Sequence, residues 1–76
     1  MTKLKRAINP MPDDIRAALD RDGLGSAYAA RPDYQKNDYL GWIARARREE
    51  TRIKRLNQML DELKRGGVYM NMAWRG

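Results

Sequence analysis

Asp13 beside Asp14, and Glu49 beside Glu50, are carboxylate pairs that could share acid–base work. Adjacent residues on a helix point about 100° apart, so each pair diverges instead of meeting over one substrate atom. Their places at helix starts account for them, because the positive end of the helix dipole favours acids there. Other routes to catalysis are closed by composition. The chain has no histidine and no cysteine, and Ser26 is its one serine. The usual general base, the thiolate nucleophile and the usual zinc ligands are therefore missing, and a serine triad cannot be assembled. Gly66-Gly67 follows a helical pattern where a phosphate-cradling loop would precede one. The residues point to a non-enzymatic protein with no catalytic residues, no cofactor and no metal.

The second kind of chemistry is cationic. The stretch "WIARARREETRIKRL" carries Arg45, Arg47, Arg48, Arg52, Lys54 and Arg55, interrupted by Glu49-Glu50. Arg45, Arg48, Lys54, Arg55 and Gln58 could form a phosphate-contacting face, and a helix–turn–helix at this point loosely resembles a DNA-reading pair. The competing reading is a solvated helix surface. Asp61 and Glu62 fall on the same outward side, and residues 45–65 hold eight basic and four acidic residues, so the face is mixed. In "PDYQKNDYLGW" aromatics interleave with charge, a pattern that can stack bases. Tyr39 and Trp42 lie on an apolar stripe and read as core, which leaves Tyr34 free. Nucleic-acid binding is therefore the alternative reading, not the first.

These residues must be positioned by one small domain. The chain has 76 residues and a net charge of +6. One core of this size supplies a stability of about 3–5 kcal/mol. No apolar run reaches the ~20 residues that span a bilayer, and the basic opening lacks the apolar segment of a secretory signal. The cytoplasm is the expected compartment.

Residues 1–10 read as a basic lead-in, and residues 11–67 as a helical domain. Pro12 suits the start of a first helix running to Asp22, with Ile15, Ala18 and Leu19 on one face. Gly23 and Gly25 close it. "LGSAYAA" forms a short second helix that Pro32 stops, and Asp33 is placed to cap the third. Tyr39, Trp42, Ile43 and Ala46 form the third helix's stripe, with Leu40 beside it and Trp42 as the largest core residue. The fourth helix runs from about Glu50 to Arg65. Its seam is Ile53, Leu56, Leu60 and Leu63, and its ion pairs are Glu50–Lys54 and Asp61–Arg65. No strand alternation is seen, so the fold class is all-α, a bundle of three to four short helices. Residues 68–76 form an apolar C-terminal tail. Tyr69, Met70, Met72 and Trp74 either fold back over the core or contact a partner, which could be an unidentified protein or a second copy forming a homodimer.

The segments "MPDDIRAAL", "SAYAARPD" and "YLGWIARARREETRIKRL" resemble the YdeI/OmpD-associated family of bacterial proteins. The resemblance spans about residues 11–66. Its most specific part is Trp42, Ile43 and Ala46, followed by Thr51, Arg52 and Arg55. Tyr28 stands where that family usually has phenylalanine. The family's helical segment often follows a β-rich region, and this chain resembles the helical part alone. The resemblance implies a helical fold and a bacterial origin. The family's name refers to bacteriocin protection and to an outer-membrane porin, and carries no biochemical mechanism. A protein-interaction role without catalysis is the expectation that remains.

Two arginines of the opening stretch can be separated by geometry. On the fourth helix Arg55 points outward, whereas Arg52 borders the apolar seam near Met59 and Leu63. An arginine there needs an acceptor, and Asp14 or Asp38 is the expected carboxylate.

Overall fold

A computed structural model of the chain describes residues 9–74. Its elements in order are α1 (Asp13–Arg21), α2 (Gly25–Ala29), α3 (Asp33–Ala44), α4 (Glu49–Arg65), β1 (Val68–Tyr69) and β2 (Met72–Ala73). Helices dominate, but the all-α expectation needs correction. The apolar residues after α4 form an antiparallel hairpin that sets Val68 opposite Ala73 and Tyr69 opposite Met72. Strands of two residues are too short for alternation to show in a sequence. Of the basic lead-in, residues 1–8 lie outside the described residues, as do residues 75–76 of the tail.

Each helix boundary has a local cause. Pro12 is extended at the cap position of α1, and Asp13 and Asp14 occupy its first turn. At its other end Gly23 takes φ +68°, Gly23 N–H donates to the Asp20 carbonyl at 3.2 Å, and Leu24 N–H donates to the Leu19 carbonyl at 2.8 Å. This is a Schellman closure, in which the glycine adopts a left-handed conformation that a Cβ would disfavour. Pro32, not Asp33, sits at the cap of α3. Asp33 is the first helical residue, and its carboxylate pairs with Lys36 at 3.3 Å. α3 ends at Ala44, so Ala46 falls in the following turn.

α3 is the central helix. Gln35, Asn37, Tyr39, Leu40, Gly41 and Ile43 are all buried, covering more than one face. The lead-in crosses it at Gly41, where a Cβ would come within 2.8 Å of the Asn9 side-chain nitrogen. Asn9 N–H donates to Asn37 Oδ1 at 2.7 Å, and the Asn9 side-chain amide donates to the Asn37 backbone carbonyl at 3.2 Å. A buried asparagine is thereby matched by the chain that covers it.

The core gathers Ile15 and Leu19 from α1, Leu24 beside α2, Tyr28 from α2, Tyr39, Leu40 and Ile43 from α3, and Met59, Leu60 and Leu63 from α4. Tyr39 is its largest wholly enclosed side chain, whereas Trp42 is only partly buried at its edge, contrary to the sequence expectation. The seam of α4 also differs. Ile53 is 46% exposed, Leu56 is partly buried, and Met59 and Glu62 are wholly buried. At 100° per residue, the buried arc is rotated by about 60° from a line through Ile53, Leu56, Leu60 and Leu63. The rotation turns Ile53 out and carries Glu62 and Arg55 inward.

Both arginines tie α4 to its neighbours. Arg52 grips the Asp14 carboxylate with two bonds, at 2.6 and 3.0 Å, joining α4 to α1. The Arg52 hydrogen bond holds the Asp14 carboxyl below the usual range. Arg55 does not point freely outward. Its Nη1 donates to the Trp42 carbonyl at 2.7 Å, and its guanidinium lies 5.3 Å from the Trp42 ring centroid. That carbonyl belongs to the last turn of α3, where no further helical N–H can reach it. Asp61 and Arg65 pair at 2.6 Å on the exposed side. Among the described residues Glu50 and Lys54 form no ion pair.

Arg52→Ala is expected to cost about 1–2 kcal/mol, limited because Asp14 is 57% exposed and its pairing is screened. Arg55→Ala is expected to cost about 1–2 kcal/mol, since it removes both the Trp42 carbonyl's donor and a cation–π contact. Urea titrations of the two variants check this, and a loss near zero for Arg55→Ala would show that its tie does not form in solution.

Candidate functional site

The hairpin is seated on a polar cluster that runs through the C-terminal half of α4. Glu62 is 0% exposed, yet its carboxylate has four donors. Tyr39 Oη donates to Oε1 at 2.5 Å and Gln58 Nε2 donates to Oε2 at 3.1 Å. The backbone N–H groups of Met70 and Asn71 donate to Oε1 and Oε2, each at 2.8 Å. Met70 and Asn71 are the two turn residues of the hairpin, with φ of 51° and 65°. Positive φ at both positions is the signature of a type I′ turn, whose twist suits a two-residue hairpin. Asparagine tolerates this conformation, whereas methionine adopts it at a cost. The carboxylate offsets that cost by taking both N–H groups of the turn.

Burial alone would push the Glu62 carboxyl up. Hydrogen bonds from Tyr39, Asn71, Met70 and Gln58 outweigh it, so the group sits below the usual carboxylate range. Tyr39 is displaced upward, first by burial and then by its bond to Glu62. Both groups therefore hold their neutral-pH forms firmly, the acid charged and the phenol protonated.

A buried cation lies beside this acid. Arg31 is 5% exposed, and it donates to Gln35 Oε1 at 3.0 Å and to the Glu62 backbone carbonyl at 3.1 Å. Trp74 covers it, with the guanidinium 4.6 Å from the ring centroid. Tyr69 Oη donates to Asp38 at 2.9 Å, and its ring meets Tyr34 and Tyr39 edge-on at 5.9 and 5.4 Å. No buried side-chain nitrogen or oxygen among the described residues lacks a partner.

The four tail residues named from sequence thus divide. Tyr69 and Met70 face their own domain, and Trp74 shields Arg31. Met72 is 60% exposed on β2, whose two residues both face solvent. The motif residues divide too. Ile43 is core, Ala46 is half-buried in the turn, and Arg52 and Arg55 are interhelical ties. Trp42, Thr51 and Arg55 meet Lys54 and Gln58 around a cleft of 240 Å³. Of the residues offered for nucleic acid, Arg45, Arg48 and Lys54 are exposed, while Arg55 and Gln58 are engaged with Trp42 and Glu62.

Sequence reasoning placed Glu62 on the outward face, and did not single out Arg31 or Gln35. The available signal was positional, because Glu62 follows Met59 by three residues and precedes Leu63 by one, which puts it on the border of their arc.

A family described as Bacteriocin-protection, YdeI or OmpD-Associated matches residues 10–66. The chain belongs to that family. The hairpin lies beyond the matched residues, but Glu62, which holds it, lies within them. No curated protein and no solved structure matches the chain. Among the described residues no helix is long and apolar enough to cross a membrane.

Glu62→Gln is expected to destabilise the domain by about 2–3 kcal/mol, because an amide presents donors to donors and removes the charge that four bonds address. The Glu62 value is depressed in the folded state, so its contribution is complete above the ordinary glutamate value of about 4.3. It is lost as pH falls from there through the folded value. Urea titrations at neutral pH and at pH near 4 should show a smaller acid loss in Glu62→Gln than in the parent. Tyr39→Phe, which keeps the charge but removes the first of the bonds that lower Glu62, should show an acid loss between those of the parent and Glu62→Gln.

Proposed function

We propose that this domain is a non-enzymatic protein-interaction module that acts in the cytoplasm through the exposed strand β2 of its hairpin. One observation carries the reading. Met72 projects from β2 at 60% exposure, while the neighbouring strand β1 is partly buried. An apolar side chain is thus held out by a clamped turn, with the ordering cost already met before a partner arrives. Trp74, half-buried two residues further on, lines a cleft with Ala27, Ala30 and Leu63. The net charge of +6 favours a partner with an apolar segment flanked by acids.

The test is capture from a bacterial lysate treated with nuclease, at raised salt. A hairpin-mediated partner survives both treatments and is lost with Met72→Asp, a change at an exposed position that leaves the melting temperature nearly unchanged. A partner that disappears with nuclease or moderate salt, and is retained by Met72→Asp, would instead mark phosphate-driven binding. Deleting residues 68–76 is expected to lower the melting temperature by at least about 10 °C, because it strips two N–H donors from buried Glu62. Thermal unfolding measured by circular dichroism checks this.

A further inference from the structure

The cleft between the end of α3 and the middle of α4 is lined by Trp42, Thr51, Lys54, Arg55 and Gln58, and its volume is 240 Å³. Its polar groups are mainly donors. Lys54 is exposed and forms no ion pair among the described residues, so its ammonium is available to a ligand. Arg55 offers several N–H groups, and one of them donates to the Trp42 carbonyl at 2.7 Å. That bond and the indole ring at 5.3 Å hold the guanidinium in place, so an incoming anion meets a donor that is already oriented. Thr51 adds a hydroxyl. Gln58 directs its amide N–H to Glu62 at 3.1 Å.

Among the described residues no carboxylate lines this cleft. The nearest acid through Gln58 is Glu62, which is wholly buried and has both oxygens engaged. A second and larger cleft, of 340 Å³, also has two cations in its lining, Arg16 and Lys36. It differs in containing Asp33, which pairs with Lys36 at 3.3 Å and opposes an anion. Of these two clefts with paired cations, the Trp42 cleft is the one without an acid among the described residues that line it.

We propose that the Trp42 cleft binds the phosphate group of a small phosphate monoester. Two cations and no acid match a group that carries about −1.5 to −2 at neutral pH, whereas a monocarboxylate would leave one cation unmatched. A planar guanidinium and a point-charge ammonium together suit phosphate oxygens. The cleft is smaller than the ~300–1,000 Å³ typical of drug-sized ligands, which limits the ligand to a phosphate with a short organic body against the indole. The inference is independent of the hairpin surface, since none of these five residues belongs to the hairpin.

The test is a two-dimensional amide NMR titration of the full chain at constant ionic strength. The probes are inorganic phosphate and glycerol phosphate, with sodium chloride and glycerol as controls. Saturable shifts are expected at the Trp42 indole, Thr51, Lys54 and the Gln58 side-chain amide, larger for the monoester than for phosphate alone. Lys54→Gln, at an exposed position, should weaken binding about tenfold while leaving the spectrum otherwise folded. Arg16→Gln, in the other cleft, should leave binding unchanged. Shifts that stay linear and scatter over every basic residue would overturn the proposal, as would undiminished binding by Lys54→Gln. A short single-stranded oligonucleotide that binds more tightly than the monoester, through the same residues, would overturn the small-ligand assignment.

Discussion

A single buried carboxylate organises the C-terminal half of this domain. An ionised Glu62 in a dry interior would be unstable unless its oxygens were fully addressed. They are addressed from three directions: Tyr39 on α3, Gln58 one turn back on α4, and the turn of the hairpin. Each partner would be unsatisfied or misplaced without the acid. Tyr39 would bury an unpaired hydroxyl, and Met70 would have a left-handed conformation with nothing to support it. The hairpin could not stand alone either, because two strands of two residues do not hold together in water. It exists because α4 presents a negative charge to its turn.

The same arrangement places Arg31 where it can be buried. Its partners are neutral oxygens and an indole face, and the Glu62 charge lies nearby. Trp74 therefore protects a cation as well as covering apolar atoms. A small domain can tolerate this polar cluster only because the cluster is complete, since partial satisfaction would consume the few kcal/mol that one core of this size provides.

Much of the helical frame was legible in the sequence. Pro12, Gly23, Pro32 and Gly66 mark boundaries by local conformational rules, and Ile15, Ala18 and Leu19 repeat with helical spacing. The Arg52–Asp14 pair was also foreseeable, because an arginine at the rim of a seam needs an acceptor and few were placed to serve. The polar cluster was not legible in the same way. Glu62 looks like an outward acid as long as α4 is given one neighbour. It has several, and the hairpin, packed on it beside α3, moves the buried arc toward Glu62. The hairpin was hidden in turn, because its turn residues are Met-Asn, without the glycine that usually signals positive φ. Trp42 was overvalued for a related reason. Size suggested a core residue, but its position near the end of α3 leaves one side open beside Arg55.

The sequence separations of these contacts imply an order of assembly. Glu62 meets Met70 and Asn71 across eight and nine residues, and Tyr39 across 23. Arg52 meets Asp14 across 38, and Asn9 meets Asn37 across 28. Closing a chain costs more entropy as the loop lengthens, though only slowly. The clasp between α4 and its hairpin is therefore the nearest in reach, followed by the α3–α4 pairing, with α1 and the lead-in docking onto a platform already built. A ribosome releases the chain in the opposite direction, and α4 must emerge before the hairpin can give its acid a partner. Until then Glu62 has no turn to hold, and the C-terminal half of α4 stays hydrated. The turn that lets the fold close is made after the helix whose acid it completes.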